Sequence, residues 1–247
     1  MRIRRILSVA AALALVAAAP GGGLKPSQTI LAAVADPARP AEDVARDGLR
    51  KPAEMLAFAG VKPGDYVGEL APGGGYYTRI LARAVGPTGK VYAFVSKGFA
   101  AREGAMDKLK ATLAPYPNVE IVVGDYTAMA FPQPVDLVWT SENYHDFHNG
   151  PTANVAALNQ AAFAALKKGG RYYIEDHAAP GTGVSATSTL HRIDPAAVRT
   201  EVSAAGFRLE AESSALANKE DPHTAKVDDP AIRGHTDKFA MRFRKPR

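Results

Sequence analysis

The sequence predicts a single α/β domain built on a mostly parallel sheet with helices on both faces. Short strand-like apolar runs alternate with helical patterns from residue 66 to residue 175. That alternation is typical of parallel sheets, because each crossover helix covers one face of the sheet. The chain has 247 residues, of which 47% are hydrophobic. This is enough for one sizeable core, and the length leaves room for one domain or two small ones.

Composition excludes several classes of function. The chain contains no cysteine, which excludes disulfide scaffolds, cysteine-ligated zinc, iron–sulfur clusters and thiol catalysis. The net charge is +5, but three of the arginines lie within the first five residues. The remainder is nearly balanced and shows no basic run interleaved with aromatic residues, so no nucleic-acid partner is predicted.

The first 19 residues have the pattern of a secretory leader. Residues 1–5 are basic and residues 6–19 are apolar apart from one serine, and the apolar stretch is short for a membrane-spanning helix. We therefore expect residues 1–35 to be a signal peptide and a disordered N-terminal segment, and residues 36–247 to be the α/β domain. Cleavage after Ala19 or after Ala35 fits equally. The mature chain is expected to be exported, periplasmic or secreted, without stable membrane insertion.

Caps and breakers bracket each predicted element. Strands are predicted at residues 66–70, 91–95, 119–123, 135–140, 171–175, 207–213 and 238–244. Helices are predicted at residues 36–50, 54–59, 75–85, 100–114, 151–168 and 195–205. Pro52 separates the first two helices, Pro151 suits a first helical turn, and Asp194 followed by a proline is typical of a helix start. Residues 216–237 are polar and turn-rich, which predicts an insertion or flap between the last two strands.

A glycine loop follows the first strand and opens the helix after it. The loop runs from Glu69 through Ala71 to three consecutive glycines, 73–75. Glycines allow a tight turn and a close approach of the backbone to a ligand. A phosphate loop would have Lys-Ser/Thr where Tyr76 and Tyr77 stand, and a dinucleotide fingerprint would have glycine where Thr78 stands. The loop fits neither of these patterns, but it does match an acid followed by x-Ala-x-Gly-x-Gly.

On this loop the chain resembles the class I S-adenosylmethionine-dependent methyltransferases. The resemblance covers roughly residues 40–247 and includes Lys62-Pro63-Gly64-Asp65, Gly124-Asp125, Asp136-Leu137-Val138 and the turn at 166–170. Together with the leader, residues 72–78 (PGGGYYT) make the chain similar to a group of predicted exported methyltransferases. The resemblance implies a Rossmann-like methyltransferase domain with a seven-stranded sheet and a final antiparallel strand. It also implies S-adenosylmethionine as cofactor and a small-molecule acceptor.

The resemblance also implies which residues hold the cofactor. They are Glu69, Ala71, Gly73, Gly75, Tyr77, Ser96, Asp125, Tyr126 and Ser141. In the family, the acid after the third strand binds the adenine amino group, which here corresponds to Asp125. An acid after the second strand usually binds the ribose hydroxyls, but Val95 or Ser96 occupies that place here. A serine hydroxyl offers one weaker, neutral hydrogen bond where a carboxylate would accept both hydroxyl protons.

Polar segments after the fourth and fifth strands supply the candidate catalytic residues. These are Tyr144, His145, Asp146, His177 and His191. His145 or His177 is the candidate base, since neutral imidazole is available near pH 7. Asp146 or Asp176 would orient the base, while Tyr144 would line the methyl pocket or simply pack in the core.

Metal binding is the open question at this edge of the sheet. His145, Asp146, Asp176 and His177 offer ligand types that suit zinc, manganese or iron. They lack a tight spacing such as His-Glu-x-x-His, so no metal is expected.

The sequence thus favours an S-adenosylmethionine-dependent methyltransferase acting on a small molecule. The alternative is a non-catalytic exported binding module that retains the fold, because the ribose acid is missing and the leader directs the chain away from where the cofactor is made. A nicotinamide oxidoreductase is disfavoured, because the third glycine, the acid after the second strand and a Tyr-x-x-x-Lys pair are all missing.

Overall fold

The computed structural model describes residues 25–247. Its centre is a seven-stranded sheet in the order β3-β2-β1-β4-β5-β7-β6. The strands are β1 Tyr66–Leu70, β2 Lys90–Ser96, β3 Val119–Gly124, β4 Val135–Ser141, β5 Leu166–His177, β6 Arg208–Ser213 and β7 Lys238–Arg244. The first five pair in parallel, and β7 pairs antiparallel with both β5 and β6. The predicted fold class is therefore confirmed.

Helices cover both faces of the sheet. They are α1 Gln28–Val34, α2 Ala41–Val44, α3 Asp47–Arg50, α4 Pro52–Ala59, α5 Tyr76–Val85, α6 Lys97–Ala100, α7 Ala105–Leu113, α8 Val155–Ala165, α9 Thr187–Leu190 and α10 Pro195–Ala204. One core layer joins α1, α4 and α5 to the sheet, and a second joins α8 and α10 to the opposite face. Among residues 25–247, none of the helices has the length and apolar character needed to cross a bilayer.

The N-terminal helix differs from the expected disorder up to residue 35. Ser27 caps α1 by accepting a hydrogen bond from the Ile30 backbone N–H at 3.3 Å. Ile30 and Ala33 are buried in the core layer that includes α4 and α5. Cleavage after Ala35 would thus remove a helix that packs on the domain. The basic and apolar leader lies outside the described residues, so its role stays a prediction.

Three predicted helices have different bounds. Residues 36–50 hold two short helices, α2 and α3, rather than one. The helix expected at 100–114 is divided into α6 and α7 by Gly104, which has φ 69°. The helix expected at 151–168 begins at Val155, because the Asn154 side chain accepts from the Ala157 N–H at 3.0 Å. It ends at Ala165, since β5 already starts at Leu166.

The segment 216–237 is irregular but anchored. Buried Arg192 binds both carboxylate oxygens of Asp221, at 2.8 and 3.2 Å. Asp221 also accepts from the Asp237 backbone N–H at 2.6 Å. These bonds hold the start and the end of the segment beside β7.

Candidate active site

Two adjacent cavities lie at the carboxyl ends of β1, β2 and β4. This is where ligands bind in open α/β sheets. The larger cavity has a volume of about 690 Å³ and the smaller about 220 Å³. Both are lined by Ala71, Pro72, Gly73 and Asn143. One ligand could therefore extend from one cavity into the other across the glycine loop.

The glycine loop is held in left-handed backbone conformations. Ala71, Gly73 and Gly75 have φ values of 50°, 56° and 79°. A Cβ added at Gly75 would lie 3.3 Å from the side chains of Arg79, Thr112 and Leu113, so this glycine allows close packing behind the loop. A Cβ at Gly73 would meet no protein atom within 4 Å. Gly73 thus leaves open the space that the two cavities share.

A partly buried arginine lies in the smaller cavity. Arg50, at the end of α3, donates to Ser141 Oγ at 3.1 Å and pairs with Glu142 at 3.2 Å. Its guanidinium carbon lies 4.6 Å and 4.9 Å from the ring centres of Tyr76 and Tyr77. Sequence reasoning missed Arg50, because a short helix far from the glycine loop in sequence carries no motif that marks it.

Glu69 gives the smaller cavity a carboxyl group opposite in charge to the arginine. Only 3% of Glu69 is exposed, and its Oε2 has no hydrogen-bond partner among the described residues. Burial raises the pKa of Glu69 to about 7. A buried carboxyl oxygen without a partner is unfavourable unless a ligand pairs with it. The smaller cavity therefore suits a ligand that carries both a carboxylate and an ammonium group.

The larger cavity is walled by aromatic rings and has a polar rim. The Tyr126 ring packs 5.4 Å from Phe94 and 4.7 Å from Phe147. Asp125 is exposed and accepts from the backbone N–H and the hydroxyl of Thr127, which lower its pKa. Such a cavity suits a flat heteroaromatic ring with a hydrogen-bond donor at its edge.

Ser96 lines the larger cavity, but its hydroxyl already has a role. Ser96 Oγ accepts from the Phe99 backbone N–H at 3.0 Å and so caps α6. Glu103, the nearest acid along the chain, does not line the cavity. Glu103 therefore does not supply the acid that the resemblance places after β2.

Two histidines and two aspartates cluster at the rim of the larger cavity. His145 Nδ1 lies 2.7 Å from Asp176 Oδ1, and its Nε2 lies 3.3 Å from Asp146 Oδ1. His191 Nδ1 lies 3.3 Å from the same Asp146 oxygen. Burial opposes a charge on His145, but the carboxylates of Asp176 and Asp146 raise its pKa to about 10. The two carboxylates thus favour the protonated form of His145 when no other cation is bound beside them, which makes it a poor candidate base.

The remaining predicted residues fall in different places. His177 is buried with its Nδ1 2.8 Å from Thr236 Oγ1, and burial lowers its pKa to about 4, so it is neutral. Tyr144 is fully buried, and its hydroxyl donates to Glu201 and accepts from Asn159. Tyr144 lines neither cavity and is a core residue rather than part of a methyl pocket.

The predicted cofactor residues gather around the two cavities with one exception. Ser96, Asp125 and Tyr126 line the larger cavity, while Glu69, Tyr77 and Ser141 line the smaller one. Ala71 and Gly73 line both. Gly75 lies behind the loop, where it serves close packing.

Comparisons with known proteins support the fold. No family model matches the chain. Protein-L-isoaspartate O-methyltransferase from Ignicoccus hospitalis is 38% identical over 73 residues, which is 30% of this chain and 33% of that protein. The chain thus matches about a third of the length of this curated relative.

Solved structures match over most of the chain. An S-adenosylmethionine-dependent methyltransferase from Aquifex aeolicus superposes with a TM-score of 0.59 at 18% identity, covering 81% of this chain and 93% of that one. The [4+2]-cyclase SpnF superposes with a TM-score of 0.59 at 15% identity, covering 83% and 81%. The chain has the Rossmann-like fold of these proteins, and the cyclase shows that the fold alone does not fix the reaction.

Proposed function

We propose that the chain is an S-adenosylmethionine-dependent methyltransferase with a small-molecule acceptor. The observation that carries this proposal is the pair of adjacent cavities that share Gly73, one aromatic and one lined by the Arg50 guanidinium and the buried Glu69 carboxyl group. S-adenosylmethionine joins a nucleoside to an α-amino acid, so its two halves match the two cavities.

Each half of the cofactor has partners of suitable chemistry. Arg50 suits the carboxylate of the amino-acid half, and Glu69 suits its ammonium group, since charge-assisted hydrogen bonds are strong in buried sites. Asp125 and the Tyr126 ring suit the amino edge and the face of adenine. For the ribose hydroxyls, the larger cavity offers Ser96 and backbone groups. The Oγ of Ser96 is already engaged, because it caps α6.

When bound, the cofactor would supply an electrophilic methyl group on a sulfonium, for transfer to a lone pair of the acceptor. The chain's own residues hold the acceptor and its proton. Burial raises the pKa of Asp146, but hydrogen bonding and charge from His145 and His191 outweigh this and lower it, so Asp146 is ionised. About half of its side chain is exposed (49%) at the cavity rim. Asp146 Oδ1 faces His145 and His191, so its other oxygen, Oδ2, would accept a hydrogen bond from an acceptor O–H or N–H, and the proton would pass to water.

The comparisons leave the acceptor open. The matched residues cover about a third of the Ignicoccus protein, so its isoaspartate acceptor is not transferred to this chain. The non-catalytic alternative has the missing ribose acid in its favour.

Calorimetric titration with S-adenosylmethionine and S-adenosylhomocysteine tests the cofactor. We expect micromolar binding of both, and no binding of NAD⁺, which serves as the control dinucleotide. Failure to bind S-adenosylhomocysteine at millimolar concentration would contradict the proposal.

Turnover tests the role of Asp146. With an acceptor found by following S-adenosylhomocysteine release, Asp146→Asn should lower kcat more than about tenfold, since positioned proton transfer contributes 10²–10⁴-fold. Its affinity for S-adenosylhomocysteine should stay within twofold of the unmodified protein. Equal kcat in the two proteins would remove Asp146 from the reaction.

We also propose that the chain is exported, because its first 19 residues have the basic and apolar pattern of a secretory leader. Expression of the full chain in a bacterial host, followed by cell fractionation and mass measurement, tests this. A shortened chain outside the cytoplasm is expected. A full-length chain that stays in the cytoplasm would contradict export.

A further inference from the structure

We propose that His145, Asp146 and His191 form a binding site for one divalent transition-metal ion at the rim of the larger cavity. The three residues come from two loops, one after β4 and one after α9. The sequence pattern grouped His145 and Asp146 with Asp176 and His177. In the structure, His191 and not Asp176 or His177 joins His145 and Asp146 as a candidate ligand.

The distances between the three side chains suit a shared ion. One possible ligand atom from each residue lies within 4.8 Å of the others. His145 Nε2 and His191 Nδ1 each lie 3.3 Å from Asp146 Oδ1. Two ligand atoms bound at about 2.1 Å from one metal at a tetrahedral angle are about 3.4 Å apart. Each histidine is thus separated from the carboxylate by the distance that a common metal requires.

A buried carboxylate orients the first of these ligands. Asp176 is fully buried and bonds His145 twice, at Nδ1 and at the backbone N–H, both at 2.7 Å. The bond at Nδ1 leaves Nε2 directed at Asp146. This carboxylate–histidine arrangement is the one that commonly supports metal-bound imidazoles in proteins.

The second histidine is held in an unusual backbone conformation. His191 follows α9 with φ 54° and ψ 46°, in the left-handed region that non-glycine residues rarely adopt. Its ring is nearly perpendicular to that of His145, at 85°, with ring centres 5.4 Å apart. Strained residues of this kind cluster at functional sites. Here the conformation brings a second imidazole to the Asp146 carboxylate.

The site is open on the side where an acceptor would lie. The side chains of His191 and Asp146 are 38% and 49% exposed, and Asp146 lines the larger cavity. Two imidazoles and one carboxylate with free coordination positions suit zinc, manganese or iron(II), whereas magnesium and calcium prefer oxygen ligands alone. The bound ion would coordinate an oxygen of the acceptor. This favours acceptors with a hydroxyl or carboxylate group, a consequence that rests on the proposed function although metal binding itself does not.

Titration of the tag-free, chelator-treated chain with zinc chloride, and separately with manganese chloride, tests the site. We expect one zinc ion per chain, and at least tenfold weaker binding in His191→Ala and in Asp146→Asn. His235→Ala is the matched control, because His235 is exposed and outside the cluster, and it should bind zinc like the unmodified chain. Asp176→Asn should weaken binding about 10–100-fold, as loss of such supporting carboxylates does in known metal sites.

Two results would overturn the metal site. One is no stoichiometric binding of either ion to the unmodified chain. The other is zinc affinity in His191→Ala equal to that of the unmodified chain. Because His191 is partly exposed, this variant should fold, which its unfolding temperature would verify.

Spectroscopy and a cofactor titration separate this inference from the proposed function. Cobalt(II) bound at the site should give visible d–d absorption bands that are lost in His191→Ala. S-adenosylhomocysteine should bind that variant within twofold of the unmodified chain. Zinc binding without cofactor binding would contradict the methyltransferase and leave the metal site standing, while the reverse would contradict only the metal site.

Discussion

The two cavities beside the glycine loop differ in how firmly they are built. In the smaller one, Arg50 is bonded to Ser141 and Glu142 and covered by two tyrosine rings, and Oε2 of the buried Glu69 has no hydrogen-bond partner within residues 25–247. The larger one has aromatic walls, an exposed Asp125 and a serine whose Oγ caps a helix. Charges act more strongly where the charged groups are shielded from water, and Glu69 is buried whereas Asp125 is exposed. We infer that this chain binds its cofactor mainly by the amino-acid end.

Arg50→Met tests that inference with the largest expected effect. Hydrogen bonds to charged groups contribute about 1.5–3 kcal/mol each, so losing the cation should weaken S-adenosylhomocysteine binding about 100-fold. Calorimetric titration measures the change.

Arg83→Met is the matched control for this change. Arg83 pairs with Asp36 and its guanidinium carbon lies 4.9 Å from the Tyr116 ring centre, away from both cavities. Its loss should leave binding unchanged. If Arg50→Met bound as tightly as this control, the amino-acid end would not be the main contact.

Gly73→Ala tests the space that joins the cavities. The added methyl would project into that space, so we expect cofactor binding to fall more than tenfold. Gly104→Ala is its control, because Gly104 also has a left-handed φ, 69°, and free space, but lines neither cavity. Both changes should lower the free energy of unfolding by about 1 kcal/mol, the cost of a left-handed non-glycine residue. Equal binding by the two variants would show that the cofactor does not pass Gly73.

The buried acid gives the smaller cavity a pH dependence. Because the pKa of Glu69 is raised from 4.5 to about 7 in the folded chain, its contribution to stability is present below pH 4.5 and is lost as pH rises through 7. Relative to Glu69→Gln, the unmodified chain should lose about 3 kcal/mol of unfolding free energy between pH 5 and pH 8.

Cofactor affinity should change in the opposite direction. Ionised Glu69 pairs with the ligand's ammonium group, so affinity for S-adenosylhomocysteine should rise up to about tenfold between pH 6 and pH 8. Titrations at several pH values measure this. An identical rise in Glu69→Gln would assign the dependence to another group.

Ser96→Asp is a smaller change that addresses the larger cavity. Aspartate caps helices as well as serine does, so α6 should be kept while a carboxylate is added near the ribose position. We expect affinity for S-adenosylhomocysteine to rise about tenfold, the lower end of what one hydrogen bond to a charged group contributes. Ser96→Ala should cost about 1 kcal/mol of stability through the lost cap, with affinity within threefold. If Ser96→Ala bound S-adenosylhomocysteine tenfold more weakly, the main contact would be with the ribose and not with the amino-acid end.

Local patterns were sufficient to predict most of the fold. Alternating apolar runs predicted the strands. The helix cap predicted at Asp194 is confirmed, because its side chain accepts a hydrogen bond from the Ala196 N–H. Helix α8 begins at Val155 and not at Pro151 as predicted, because the Asn154 side chain caps the helix. Helix α1 was missed because two buried side chains, not its short sequence, hold it in place.

The site was less predictable, because its key contacts join distant segments. The glycine loop and Asp125 follow strands that a motif identifies. Arg50 reaches Ser141 from a helix 91 residues away in sequence, and His191 reaches Asp146 only because of its left-handed backbone. Tyr144 was a candidate site residue because it follows β4. In the structure its hydroxyl is hydrogen-bonded to Asn159 and Glu201 in the core.

Comparing two ligands on the unmodified chain tests most directly whether the amino-acid end dominates binding. S-adenosylhomocysteine carries both halves of the cofactor, while 5′-methylthioadenosine keeps the nucleoside and lacks the amino acid. Loss of the bonds to Arg50 and Glu69 should make methylthioadenosine bind at least about 100-fold more weakly. Dissociation constants within threefold of each other would contradict the claim and place the binding energy in the larger cavity.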